Sequence, residues 1–117
     1  MEIFQKEKNG IVCVTIKGRM PARLSPELEH MIEVILKSGQ THLLFDLSAL
    51  EYLRSSVLRV ILSTIKTLNR KSGRVVLCCL NGYVSEIFEV NRFKDTITIT
   101  DSLESGFKAF ACELKAA

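Results

Sequence analysis

Hydrophobic residues recur along the chain with two different spacings, which predict alternating strands and helices. Residues 2–8 and 11–17 alternate between apolar and polar positions and flank Asn9-Gly10, a dipeptide typical of tight hairpin turns. Residues 43–46 and 74–80 contain continuous apolar runs, a pattern that favours strands covered on both faces. A β-branched segment at 96–100 predicts a fifth strand.

Four further segments place apolar residues at helical spacing. We expect these helices to begin at Ser25-Pro26, at Ser55-Ser56, after Asn81, and at residues 101–104, where D-S-L-E has the spacing of a capping box. On the second helix the predicted buried stripe consists of Leu58, Ile61, Leu62, Ile65 and Leu68. The resulting order, β-β-α-β-α-β-α-β-α, predicts an α/β fold with a mostly parallel central sheet, an N-terminal β-hairpin and four helices.

Length and composition narrow the class of protein. A chain of 117 residues with 47% hydrophobic and 25% charged residues suits one globular domain over residues 1–117. The net charge of +3 is spread over scattered basic residues, so we expect no nucleic-acid partner. The sequence has no signal-peptide pattern and no apolar run of membrane-spanning length, which predicts a cytoplasmic protein that does not insert into membranes.

The four cysteines, at positions 13, 78, 79 and 112, form no C-x-x-C pair. We interpret them as buried reduced thiols, with zinc binding as a second interpretation. Cys78 and Cys79 fall in a predicted strand, so their side chains are expected on opposite faces. His30 and His42 have no recognisable nucleophile or metal partner, and no phosphate-binding loop is present. We therefore predict no catalytic residues, no metal site, no cofactor and no enzymatic activity.

Ser55 and Ser56 stand where a helix is expected to begin. A serine there can accept a hydrogen bond from the first turn and act as an N-cap. The same helix end also suits an anion, because its N–H groups and its macrodipole favour negative charge. A phosphorylation site at one of these two serines is therefore the alternative interpretation.

The segment from Leu43 to Leu62 resembles the signature of the STAS family, the sulfate transporter and anti-sigma factor antagonist domains. In that signature a strand ending in D-L-S leads, eight residues after its acid, into D-S-S-G at a helix start. Asp46-Leu47-Ser48 matches the first part, and Arg54-Ser55-Ser56-Val57 stands at the second. Arg54 replaces the acid and Val57 the glycine. The resemblance implies a STAS-like fold and carries the role of phosphorylated serine to Ser55.

The resemblance further implies a regulatory protein that binds an anti-sigma factor with serine-kinase activity. In relatives, the serine and the helix after it form the docking surface, which here carries an outward row at 59, 63, 66 and 70. Arg19 lies in Gly18-Arg19-Met20-Pro21, which stands at the relatives' G-x-L-D segment but lacks its acid, and a partner could use this arginine. Asp46 is expected to form a hydrogen bond with the loop leading to Ser55. The predicted partner-binding residues are Arg19, Asp46, Arg54, Ser55, Ser56, Arg59, Ser63 and Lys66.

Two other functions stay open from the sequence. One is a STAS interaction module that is never phosphorylated and works in a signalling or lipid-transport complex. The other is a STAS domain that senses a small molecule, and weak self-association as a homodimer is a further partner hypothesis. Arg54 and Val57 depart from the family's motif. The motif by itself therefore does not choose among these functions.

Overall fold

The computed structural model describes residues 3–18, 25–51, 55–90 and 97–116. The elements follow the predicted order: β1 (Ile3–Lys8), β2 (Ile11–Ile16), α1 (Ser25–Lys37), β3 (His42–Asp46), α2 (Ser55–Arg70), β4 (Arg74–Cys78), α3 (Gly82–Val90), β5 (Thr98–Thr100) and α4 (Leu103–Ala116). From its pattern we also expect a loop from Gly18 to Leu24 and the end of α3 at Asn91, but all of that loop except Gly18, and Asn91 itself, lie outside the described residues.

One five-stranded sheet has the spatial order β1-β2-β3-β4-β5. β1 pairs antiparallel with β2, and the other neighbouring strands pair in parallel. Asn9 and Gly10 both have positive φ, 54° and 80°, as a two-residue hairpin turn of this hand requires. The predicted hairpin and the mostly parallel sheet are confirmed.

The sheet buries apolar residues on both faces, and the helices divide unequally between them. One face carries Val12, Val14, Phe45 and Leu77 against α1, α2 and α3, and this side holds the larger core. The opposite face carries Ile11, Cys13, Leu44, Val76 and Cys78 against Phe110 of α4. The continuous apolar runs of β3 and β4 are explained by this arrangement, because strands covered on both sides need no polar face.

α4 packs unusually close to the sheet. A Cβ atom added at Gly106 would lie 2.8 Å from Cδ1 of Leu44, so only glycine allows this approach without a shift. The predicted capping box at 101–104 is wrong by one residue. Ser102 is the cap, since its hydroxyl accepts the N–H of Ser105 at 3.1 Å and the helix begins at Leu103.

Candidate functional site

The loop that follows β3 is held by the segments that follow the strands on either side of it. On the β2 side, the Gly18 N–H donates to the Ala49 carbonyl at 2.7 Å, and the Glu51 N–H donates to the Gly18 carbonyl at 2.9 Å. On the β4 side, the Leu47 N–H donates to the Cys78 carbonyl at 3.1 Å. The carboxyl ends of the parallel strands β2, β3 and β4 are therefore connected by hydrogen bonds and form one surface. The loop on this surface leads toward α2.

Asp46, the last residue of β3, fixes the first turn of this loop. Its Oδ1 accepts the backbone N–H of Ser48 at 3.0 Å, and its Oδ2 accepts the Thr15 hydroxyl at a long 3.5 Å. An aspartate that binds the N–H two residues ahead makes an Asx turn. The expected hydrogen bond from Asp46 to the loop that leads to Ser55 is present. Asp46 is half-buried, and its carboxylate fixes the conformation of the loop through the hydrogen bond with Ser48.

Asn81 holds the same loop from the other side. Its Oδ1 accepts the Val84 N–H at 2.8 Å, which confirms the predicted N-cap of α3. Its Nδ2 donates to the Leu50 carbonyl at 2.9 Å, a contact that the sequence pattern did not predict. The two residues are 31 positions apart, so no local spacing signals that bond.

Ser55 and Ser56 begin α2 but differ in exposure. Ser55 is exposed, whereas Ser56 is half-buried and Val57 is fully buried in the main core. Within the described residues the Ser55 hydroxyl makes no hydrogen bond, in contrast to the capping side chains of Asn81 and Ser102. The first turn of α2 also contains no acidic residue. The structure therefore gives Ser55 no capping bond to a described residue.

The outward side of α2 forms an open groove of about 400 Å³ beside Ser55. The groove is lined by Ser55, Leu58, Arg59, Leu62, Ser63 and Lys66. The predicted buried stripe is partly wrong here, because Leu58 and Leu62 are only half-buried. The residues that α2 buries fully or nearly so are Val57, Val60, Ile61, Thr64, Ile65 and Leu68.

Because Leu58 and Leu62 are accessible, the predicted charged row on α2 is not a purely charged surface. Arg59, Ser63 and Lys66 are exposed as expected, but they flank two accessible leucines and do not form a purely polar face. The sequence missed Leu58 and Leu62 as surface residues because helical spacing alone assigns both to the buried side. Arg19 and Arg54, the other basic residues predicted for this surface, lie outside the described residues.

The two adjacent cysteines do not follow the predicted alternation. β4 ends at Cys78, and Cys79 takes a left-handed backbone conformation with φ of 65°. That conformation breaks the strand's alternation of faces. Both residues accordingly pack against the smaller core under α4, and their sulfur atoms lie within 4.8 Å of each other. The expectation of opposite faces is wrong for this reason.

Burial is the main cause of the raised pKa values of the Cys78 and Cys13 thiols. Burial, followed by the neighbouring Cys79 and Asp46, raises the pKa of Cys78 above its ordinary value. Burial and the Asp46 carboxylate also raise the pKa of Cys13. Both thiols are therefore protonated near neutral pH, as expected for reduced cysteines in an apolar environment.

In the part of the chain that the structure describes, no helix is both long enough and apolar enough to cross a membrane. The described residues also include one group of metal-binding side chains, formed by Asp46, Cys78 and Cys79. From the sequence, zinc is only a second interpretation of the cysteines, because the usual two-residue spacing between paired ligands is missing, and nothing joins Asp46 to them.

Comparison with known proteins identifies the family. The STAS domain profile matches residues 3–106. A provisional anti-sigma factor antagonist of Bordetella bronchiseptica, BtrV, is 28% identical over 114 residues, covering 97% of this chain and 98% of BtrV. The anti-sigma F factor antagonist of Paenibacillus polymyxa is 30% identical over 103 residues, covering 87% of this chain and 88% of that protein.

A solved structure supports the same fold. The Bacillus cell fate determinant SpoIIAA, in its phosphorylated form, superimposes with a TM-score of 0.78 over 92% of this chain and 98% of SpoIIAA, at 14% sequence identity. The five-stranded sheet, the hairpin and the four helices are thus those expected from the resemblance in the sequence. On the profile match, the sequence relatives and the fold together, this chain belongs to the STAS domain family.

Proposed function

We propose that this protein is an anti-sigma factor antagonist that binds a kinase-type anti-sigma factor through the exposed side of α2, and that phosphorylation of Ser55 weakens this binding. The names of the sequence relatives support the general role. That SpoIIAA exists in a phosphorylated form supports the type of control. The regulation itself rests on the geometry at the start of α2.

The observation that carries the proposal is the state of the Ser55 hydroxyl. It is exposed, it makes no hydrogen bond to a described residue, and it borders the groove on α2. A kinase needs such access, whereas a capping hydroxyl would have to leave its backbone partner. Val57, at the position of the family's glycine, is fully buried and leaves the outward side of α2 open.

The groove has the composition of a small protein-binding surface. Leu58 and Leu62 offer apolar area, while Arg59 and Lys66 place positive charge at its border. Apolar contacts at the centre of an interface with charges at the rim are the usual arrangement. A partner with an acidic patch around an apolar residue would fit, and its association would slow as salt concentration rises.

Phosphorylation would change this surface directly. A phosphate adds about −1.5 to −2 charge at neutral pH. Arg59 follows Ser55 by four residues, one helical turn away, so the new charge would compete with the partner's acidic groups for Arg59. A loss of about 3 kcal/mol in binding free energy corresponds to a more than hundredfold weaker complex. The fold need not change.

The other predicted residues take different parts in this proposal. Ser63 belongs to the contact surface with the two basic residues of the groove, and Asp46 positions the loop before α2. Arg19 and Arg54 are proposed as additional contacts on the basis of the sequence. Ser56 is the secondary candidate for phosphorylation, since its half-buried position gives a kinase poorer access.

The test starts with a pull-down from native lysate, followed by affinity measurements on the partner that is recovered. We expect Ser55→Ala to bind like the unmodified protein and Ser55→Glu to bind at least about a hundredfold more weakly. With ATP present, mass spectrometry should detect phosphate on Ser55 of the wild type. Ser55→Ala should acquire none at that position.

Ser105→Glu is the matched control for the added charge. Ser105 is exposed in the first turn of α4, on the opposite face of the sheet. Its N–H already donates to Ser102, so glutamate there completes a favourable S-x-x-E cap. This variant should bind the partner like the wild type. Equal affinity of Ser55→Ala and Ser55→Glu would contradict the switch and favour a constitutive interaction module.

A further inference from the structure

Three potential metal ligands meet at the carboxyl ends of β3 and β4. Asp46 is the last residue of β3, and its register partner Cys78 is the last residue of β4. Cys79 follows directly. One carboxylate oxygen and the two sulfur atoms all lie within 4.8 Å of one another. None of the three lines the groove on α2, although Asp46 also positions the loop that leads to Ser55.

The backbone at Cys79 brings the second thiol into this group. In a continuing strand, Cys79 would point to the other face of the sheet. Its φ of 65° prevents that, and its N–H is fixed by a hydrogen bond of 3.1 Å to the Thr100 carbonyl. The Cys78 carbonyl is held on its other side by the Leu47 N–H at 3.1 Å. A left-handed conformation at a residue other than glycine costs roughly 1–2 kcal/mol, so the surrounding hydrogen bonds maintain a strained geometry.

We propose that Asp46, Cys78 and Cys79 bind a zinc ion, with a water molecule as the fourth ligand. In a tetrahedral zinc site with bonds of about 2.0–2.3 Å, neighbouring ligand atoms lie about 3.5–3.8 Å apart. Closing the group around an ion therefore requires movements of about 1 Å. Two thiols exclude Mg²⁺ and Ca²⁺, which prefer oxygen ligands, and the added carboxylate fits zinc.

The surroundings of these three side chains allow a zinc ion to enter the site and to be held there. Cys78 is fully buried, while Asp46 and Cys79 are half-buried, so an ion can enter from the carboxyl edge of the sheet. Asp46 already accepts hydrogen bonds from the Ser48 N–H and, at longer range, from the Thr15 hydroxyl. Such bonds orient a carboxylate ligand. Zinc would displace the two thiol protons on binding. The protons would pass to the solvent, and the charge of the Zn²⁺ ion would balance the two thiolates.

Binding would connect the ends of two neighbouring strands at the base of the loop that leads to α2. The expected consequence is a more stable protein in the presence of zinc, through binding to the folded state alone. Oxidation at Cys78 is the less favoured chemistry, because burial raises the pKa of its thiol and the thiolate is the reactive form.

The test is a titration of the full chain with Zn²⁺, followed by competition with a chromophoric chelator under a non-coordinating reductant. Co²⁺ serves as a spectroscopic substitute, since thiolate ligands give an intense ultraviolet charge-transfer band. We expect one ion per chain, the thiolate band with Co²⁺, and a rise in Tm with Zn²⁺.

Cys79→Gly is the decisive variant, because glycine accepts the positive φ and removes only the thiol. It should weaken zinc binding at least about tenfold and abolish the rise in Tm. Asp46→Asn, which retains an acceptor for the Ser48 N–H, should also weaken binding. Cys13→Ser, outside the ligand group, should bind zinc like the wild type. Equal zinc affinity of the wild type and Cys79→Gly, or no charge-transfer band, would overturn the proposal.

Discussion

α2 and α3 both start at the carboxyl edge of the sheet, yet the polar side chains at their starts make different contacts. At α3, Asn81 uses both ends of its amide, accepting the Val84 N–H and donating to the Leu50 carbonyl. At α2, Ser55 is exposed and its hydroxyl has no hydrogen-bond partner among the described residues. Neither helix has an acidic residue in its first turn, so local charge does not distinguish the two ends.

Asn81 directly precedes α3, whereas Ser55 is the first residue of α2. A polar residue at the start of a helix can thus serve stability, as Asn81 does, or the regulation that we propose for Ser55. A small polar residue at a helix start is compatible with both roles. A side chain already engaged in two internal hydrogen bonds is costly to modify, because its partners would be left unsatisfied. An unengaged hydroxyl carries no such penalty. Each of the following predictions tests whether this separation of roles is real.

After Ser55→Glu, the largest expected effect is the loss of partner binding on charge reversal in the groove. Arg59→Glu combined with Lys66→Glu should weaken binding more than about tenfold and reverse its salt dependence. The matched control is Arg70→Glu with Lys71→Glu, which makes the same change in charge at the far, exposed end of α2. Calorimetric titration at two salt concentrations measures both. Equal losses in the two double variants would mean that net charge, and not the groove, attracts the partner.

Asn81 is expected to carry stability. Asn81→Ala removes the cap and the bond to the loop, which should lower the free energy of unfolding by about 2 kcal/mol. Asn81→Asp keeps the acceptor for the Val84 N–H and loses only the donor to Leu50, for a cost of about 1 kcal/mol. Urea unfolding monitored by circular dichroism measures both. If Asn81→Ala were as stable as the wild type, the polar side chain at the start of α3 would not stabilise the protein, and the contrast with Ser55 would disappear.

The thiol of Cys78, the last residue of β4, predicts a dependence of stability on alkaline pH. Its folded pKa is raised, so above the unfolded pKa of about 8.5 the folded state retains a proton that the unfolded state loses. Stability is thus complete below that pH and falls above it, by at most about 1.4 kcal/mol per pH unit for one thiol. In the presence of chelator and reductant, Cys78→Ala should show a shallower alkaline slope. Parallel slopes would contradict the assignment.

The smallest effect is the change in the free energy of unfolding expected for Ser55→Ala. Ser55→Ala should change the free energy of unfolding by no more than about 0.5 kcal/mol, as for an exposed residue without internal bonds. The same urea experiment applies, with Ser102→Ala as the comparison. Ser102 caps α4 through the Ser105 N–H, and its replacement should cost about 1 kcal/mol. A similar cost at Ser55 would restore the interpretation of this serine as a cap.

The sequence by itself determined the order of elements, the hairpin and the burial of β3 and β4. These features depend on local rules: the period of apolar residues, the φ > 0 turn at Asn9-Gly10 and the cap at Asn81. It also indicated Ser55 through the D-L-S and S-S matches to the STAS signature. The predicted exposure of Arg59, Ser63 and Lys66 followed from helical periodicity alone.

Only the tertiary structure decided what lies around these residues. Leu58 and Leu62 border a groove because the packing of α2 on the sheet rotates the buried stripe toward Val57 and Val60. Asn81 reaches Leu50, and Cys79 turns beside Cys78, through hydrogen bonds between segments distant in sequence. Periodicity gives the approximate side of an element, whereas the exact rotation and the backbone at its ends follow from contacts with the rest of the fold.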